Sequence, residues 1–300
     1  MSEADRPKVN AARGATLAEL RAEIDRIDAE MHARLIERGE IIDRLIAVKN
    51  TQESGSAFRP AREAEMMRRL VERHRGILPF DTVESIWRVV IATFTYIQSP
   101  YTVHGDFSAG DAKVRDAARF HFGFTVPLAP HQGAEAVIAA VAASKGDLGL
   151  VSAVAIAGAG AWWSALESAA APKIIARLPF VERPDHPASL PLFVVSRPIV
   201  ADAVANEVQC WSLKISGWSA NAARAVARIA EYLVLPEGRF DGAAILVSIE
   251  PKHTLAEFRN ALVGAGASVR SEALVGGHAT RYMVAPGGAA AAPKRLGAEP

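Results

Sequence analysis

Between Thr16 and about Asn50 the chain has no proline and a single glycine, Gly39, and its apolar side chains return at steps of three and four. Such a stretch reads as one long helix. Stepping from Arg21 gives Arg21, Ile24, Asp28, Met31, Leu35, Arg38, Ile42, Leu45 and Lys49, an unbroken heptad seam. Five of these nine positions are apolar, as packing demands, but Arg21, Asp28, Arg38 and Lys49 stand where a burial seam should hold Leu or Ile. A charge desolvated without a counter-charge costs several kcal/mol, so either carboxylates of the protein or an anionic ligand must meet these groups.

Helix geometry narrows the choice. Arg38 and Lys49 differ from three full turns by only about 20° and lie roughly 16 Å apart along the axis, so two long side chains leaning together can grip one small molecule. Arg21 is about 25 Å from Arg38, too far to reach that molecule from the same helix. It takes part only from another chain, and an antiparallel two-fold partner creates two equivalent sites. The alternative is that polar seam residues only fix register, with Asp28 pairing Arg21 one heptad away.

Thr16 with Glu19 resembles a capping box at the start of the long helix. Thr51 to Ala57 is a polar loop. Arg59 to about Arg75 reads as a second helix with Pro60 in its first turn, ended by Gly76 and Pro79. Asp81 reads as the cap of a third helix, which runs through Trp87 to about Gln98 before Pro100. Arg59, Arg62 and Glu63 open the second helix, and Gln98 lies on the last turn of the third, beside the run of Trp87, Val89, Val90 and Ile91. A cationic pocket with one acid and one amide is thereby drawn from three helices.

The segments LRAEIDRID, LIERGEIIDRLIAVK and FRPAREAEMMRRL closely resemble the all-α chorismate mutase family in motif, order and spacing, over about Leu17 to Gln98. That resemblance implies an intertwined helical dimer without cofactor or metal that converts chorismate to prephenate. It also implies roles. Arg21 matches the arginine that crosses to the partner's site, and Arg38 the arginine that holds a substrate carboxylate. Lys49 matches the lysine bonded to a carboxylate and the ether oxygen, and Gln98 the donor to that oxygen. Arg62 and Glu63 match an Arg-Glu pair whose glutamate binds the substrate hydroxyl. Arg59 stands where some members have aspartate, and Phe94 where some have a small polar residue. A pyruvate lyase acting on isochorismate shares this fold and is one alternative. Another is a non-catalytic sensor of aromatic amino acids, dimerised by the helical unit.

Beyond Tyr101 helical and strand-like runs alternate: Ala134 to Ser144, Leu148 to Val154, Leu192 to Ser196, Ser219 to Tyr232, Ala243 to Ile249, Leu255 to Val263 and Ser268 to Val275. The fold class expected is therefore multidomain, α and then α/β. The order resembles proteins that fuse chorismate mutase to prephenate dehydratase and a regulatory domain. The expected organisation is a tail at 1–15, a chorismate mutase helical unit at 16–102 and a degenerate dehydratase-like α/β region at 103–238. A partial regulatory, ferredoxin-like region at 239–285 and a tail at 286–300 complete it. In SLPLFVVSRP the dehydratase Thr-Arg-Phe triplet is replaced by Pro191, Leu192 and Phe193, so no dehydratase activity is expected. Ala243 to Val284 resembles the first half of a βαββαβ domain, with Ser271 and Glu272 where part of an effector motif lies. This makes an aromatic amino acid a candidate effector.

The 34 basic against 33 acidic side chains give no charge argument for nucleic acid or membrane. Cys210 stands alone, which removes an internal disulfide and fits a reducing cytoplasm. Met1 to Thr16 lacks the apolar core of a secretory signal, and no run reaches a membrane-spanning length. Gly158 and Gly160 in AGAGAWW read as a turn rather than a phosphate loop, and Trp162 and Trp163 as packing. The eight histidines show no metal-binding spacing, and His104 and His131 read as surface or core donors.

Overall fold

The computed structural model describes residues 16–49, 57–156, 158–183, 186–199, 204–237, 242–284 and 294–295. The N-terminal tail, the loop at 51–56 and nearly all of the C-terminal tail lie outside the described residues. The chain divides into two compact units, Met1–Asn50 and Thr51–Pro300.

The first unit is the helix α1 (Leu17–Lys49), 33 residues long and thus roughly 50 Å from end to end. Its capping box is complete. Glu19 N–H donates to Thr16 Oγ1 at 3.3 Å, and Thr16 N–H donates to Glu19 Oε2 at 2.6 Å. These bonds hold the Glu19 carboxyl below its usual range.

The second unit opens with α2 (Pro60–Arg73) and α3 (Phe80–Gln98). Pro60 occupies the first turn of α2, where a missing N–H costs nothing. The cap of α3 corrects the sequence expectation: Pro79, with extended backbone, precedes the helix, while Asp81 lies inside its first turn and takes the Thr82 N–H at 2.8 Å. Proline fixes the entry angle that a capping carboxylate would otherwise set.

An α/β layer comes next: β1 (Val103–Asp106), α4 (Asp111–Phe122), β2 (Leu128–His131), α5 (Ala134–Ala143), β3 (Leu148–Ser152), β4 (Lys173–Leu178), β5 (Val181–Glu182) and β6 (Leu192–Ser196). β1 pairs in parallel with β2 and β3, whereas β6 pairs antiparallel with both β3 and β4. Strand alternation sends Leu192 and Val194 to one core and Phe193 and Val195 to another. The first core also takes Phe58, Met67 and Leu70 from α2 and its approach, and Phe80 and Ile91 from α3. These two helices are therefore packed as one body with the sheet. The second core is filled by α5 and by Trp162 and Trp163 of a short 3-10 turn, which confirms the packing expected of the tryptophans.

The chain then forms β7 (Val208–Ser216), α6 (Ala220–Val226), β8 (Ala230–Glu237), β9 (Gly242–Ile249), α7 (Leu255–Gly264) and β10 (Ser268–His278). This is a whole βαββαβ module with strand order β10-β7-β9-β8. The expectation that Ala243 to Val284 is its first half is corrected: those residues supply the second half, and the first lies upstream. The boundary expected between 238 and 239 falls between β8 and β9, whose adjoining ends Glu237 and Gly242 pair. The run Ser219 to Tyr232 divides into α6 and the start of β8. Helices α6 and α7 cover Leu213, Ile215, Ile245 and Val247 as a third core. Two-residue strands β11 (Tyr282–Met283) and β12 (Lys294–Arg295) form a small sheet with β5.

All nine larger strands form one sheet because β10 meets β4, through a single register pair, Gly276 with Ile174. Gly276 has φ +138°, and a Cβ built there would lie 2.0 Å from the Ile174 carbonyl oxygen. Only glycine lets the two backbones approach so closely. Gly276→Ala should therefore lower stability by about 3 kcal/mol in urea denaturation; an unchanged midpoint would contradict this account of the junction.

Candidate functional site

On α1 the seam is visible as a surface stripe. Ile24, Met31 and Leu35 are 57 %, 56 % and 42 % exposed, far more than is usual for apolar side chains on one helical stripe. Arg21 and Asp28 are exposed on the same seam, and Arg38, Ile42 and Leu45 are half-buried. Two ion pairs along this helix, Arg26–Glu30 at 2.5 Å and Arg34–Glu37 at 2.7 Å, lie off the seam. Among the described residues no ion pair joins Arg21 to Asp28. The helix runs through Lys49, whose side chain lies outside the described residues.

The first turn of α2 separates its three candidates. Arg62 is exposed, Arg59 is half-buried and donates to the Phe58 carbonyl at 3.1 Å, and Glu63 is buried. Burial lowers the guanidinium pKa of Arg59. The Glu63 carboxylate accepts Arg88 Nη1 at 2.6 Å, and Arg88, wholly buried, donates through Nη2 to the His121 carbonyl at 3.0 Å. Burial pushes the Glu63 carboxyl up, and the Arg88 guanidinium opposes that push. One helical turn earlier, Glu84 is buried against Arg183 at 2.5 Å. Here too burial raises the carboxyl pKa and the arginine offsets it. Phe180 lies under Arg88 at 5.1 Å, and Phe80 under Arg183 at 5.4 Å. Gln98, half-buried on the last turn of α3, donates Nε2 to the Phe94 carbonyl at 2.9 Å.

Sequence reasoning missed Glu84 and Arg88. The signal was there: stepping from Phe80 gives Phe80, Glu84, Arg88, Ile91, Thr95 and Gln98, a second seam interrupted by charges. In the structure all of these but Gln98 are buried. The opposite charges come from α2 and from the segment after β5, so the pairing is invisible along one helix.

The remaining polar clusters lie in the C-terminal region. His104 contacts His131 at 2.9 Å and Asp147 at 3.0 Å, a chain of three titratable groups that sequence spacing did not suggest. A cleft of about 480 Å³ is lined by Val154, Arg177, Phe193, Glu231, Tyr232 and Leu246. Within it Arg177 pairs with Glu231 at 2.5 Å, and Arg281 binds the same carboxylate. Leu192 and Phe193, where the dehydratase triplet was sought, are buried, and the Pro191 carbonyl accepts Ala153 N–H at 3.0 Å. Ser271 and Glu272 sit on β10, with Glu272 bound to Arg259 at 2.9 Å. Gly158 and Gly160 take positive φ in a turn, as expected. No helix among the described residues is long and apolar enough to cross a membrane.

Residues 20–99 match the family described as chorismate mutase type II, so the N-terminal part of the chain carries a domain of that family. The chain is 32 % identical over 105 residues to the bifunctional chorismate mutase/prephenate dehydratase of Neisseria gonorrhoeae (strain ATCC 700825 / FA 1090). That match covers 33 % of this chain and 26 % of the relative, so the chain spans about a quarter of the length of the curated relative it matches. Among solved structures, prephenate dehydratase from Streptococcus mutans gives a TM-score of 0.38 at 13 % identity, over 62 % of this chain and 99 % of that one. GqqA, described as a novel type of quorum quenching acylase, gives 0.36 at 14 %, over 58 % and 93 %.

Buried histidines set a pH limit on this fold. Burial lowers the His278 imidazole from 6.5 to about 4, and burial with nearby arginines lowers His121 well below 6.5. A depressed folded-state pKa gives stability that is present above the unfolded value and lost as pH falls through the folded one. Between pH 6.5 and 4, wild type should lose about 3 kcal/mol more stability than His278→Gln. Equal losses in urea titrations of the two proteins would refute the assignment.

Proposed function

We propose that this chain is a chorismate mutase that works as a homodimer through α1. The observation that carries the reading is the α1 seam, where cations interrupt an exposed apolar stripe inside the segment that matches the type II family. Burying that stripe against a second α1 would remove apolar surface from water, and one long helix exposes too much of it to stand alone. An antiparallel pairing carries one chain's Arg21 toward the other's Arg38 and Lys49, giving two equivalent sites.

The chemistry suits these residue types. Chorismate is a dianion, and its conversion to prephenate breaks a C–O bond and forms a C–C bond within one molecule. The protein must then hold a compact reacting conformer and supply neither nucleophile nor metal. Arg21, Arg38, Arg59 and Arg62 would bind the substrate's carboxylates through their planar forks. Glu63 would receive the ring hydroxyl. As the ether bond breaks, negative charge gathers on its oxygen, and Lys49 and Gln98 donating there would stabilise the transition state more than the ground state.

Three further readings accompany this one. The dehydratase reaction is absent, because Pro191 offers no hydroxyl where the family's threonine stands; pure protein should form no phenylpyruvate from prephenate. An aromatic amino acid is the candidate effector of the βαββαβ module, to be tested by titration calorimetry. The site of action is a reducing cytoplasm, the reading drawn from the single cysteine, Cys210. The decisive variant is Lys49→Ala, which should lower kcat/KM for chorismate by about 10²- to 10³-fold while leaving the dimer folded by circular dichroism and sedimentation. Wild-type turnover in that variant would reject the assignment.

A further inference from the structure

We propose that Arg88 is a positioning residue for the mutase reaction, holding the Glu63 carboxylate in place for the substrate hydroxyl and fastening the first turn of α2 to α4. The inference rests on the functional reading above and names a residue which that reading does not use. The Arg88 guanidinium bridges α2 and α4. Its Nη1 donates to Glu63 at 2.6 Å, its Nη2 donates to the His121 carbonyl at 3.0 Å, and its Cζ lies 5.1 Å from the Phe180 ring centre. With both terminal Nη atoms committed and the ring beneath, the orientation of the fork is constrained although its buried Nε has no hydrogen-bond partner, and Glu63 takes its own orientation from it. The Glu63 side chain keeps 5 % exposure against 1 % for Arg88. Of the two partners Glu63 is thus the less completely enclosed.

The paired cation also acts on the protonation of Glu63. The charged and titratable groups around Glu63 are Arg88 on α3, Tyr101 ahead of β1, and beyond them His121 on α4 and the Glu84–Arg183 pair. Burial drives Glu63 toward its neutral form, which would donate a hydrogen bond; Arg88 drives it toward the anion, which accepts one from a hydroxyl. Without the arginine only the burial remains. A merely structural ion pair would hold the helices together and leave the pH dependence of turnover untouched.

The test uses the full chain with Arg88→Met, Arg88→Lys, Glu63→Gln and the double variant Glu63→Gln/Arg88→Met. Arg88→Met should lower kcat/KM for chorismate by about 10²-fold, and the acid limb of its pH profile should move to higher pH. Arg88→Lys, which keeps the charge, should recover to within about tenfold of wild type. The double variant should be no worse than Glu63→Gln alone, since a residue acting through another adds nothing once that other is gone. Should Arg88→Met fail to fold, the double variant removes both buried charges together and Arg88→Lys retains them, so these two carry the comparison. A wild-type pH profile in folded Arg88→Met, or losses that multiply in the double variant, would overturn the role given to Arg88. Wild-type protein without turnover would instead defeat the functional reading and this inference with it.

Discussion

A charge in an apolar seam must be matched, and the two long helices of this chain meet that constraint in different ways. On α3 the match is internal: Glu63 of α2 faces Arg88, and Arg183 beyond β5 faces Glu84, at 2.6 and 2.5 Å. Breaking either pair would strand a buried charge, at a cost of about 3–5 kcal/mol. Those two pairs therefore fix how α2 and α3 lie on the sheet. On α1 the seam holds Arg21 and Asp28 in exposed positions among exposed apolar residues. We propose that a second chain and a dianionic substrate complete it.

The internal pairs also bind α2 and α3 to the α/β layer rather than leaving them a separate helical domain. Phe58, Met67, Leu70, Phe80 and Ile91 share one core with Leu148, Leu178 and Leu192 of the sheet. The sheet in turn continues through Gly276 into the βαββαβ module. The first turn of α2, where Arg59, Arg62 and Glu63 stand, is thus tied by packing to a nine-stranded sheet.

Local signals were the legible ones. The extent of α1, the Thr16 capping box, Pro60 in the first turn of α2 and the end of α3 at Gln98 all reflect residues within a few positions of one another. The cap of α3 misled because Asp81 is a better capping residue in isolation than Pro79. The module's start at Val208 was missed because its first helix is only seven residues long and small in side chain, Ala220 to Val226. What lay furthest from view was non-local. Arg183 meets Glu84 across 99 positions, and Gly276 meets Ile174 between strands far apart in the sequence, so neither leaves a periodic trace. Of the proposed site, residue types and spacing on α1 were readable, whereas the burial of Glu63 against Arg88 was not.

The shared site is the central claim, and subunit complementation tests it most directly. Co-expressed full chains carrying Arg21→Ala and Lys49→Ala would form heterodimers in which one chain's intact Arg21 faces the other's intact Lys49. With random pairing of equal amounts, half the dimers hold one whole site, so the mixture should regain roughly a quarter of wild-type chorismate turnover although each variant alone is nearly inactive. Activity no greater than the mean of the two separate variants would contradict a site built across the dimer.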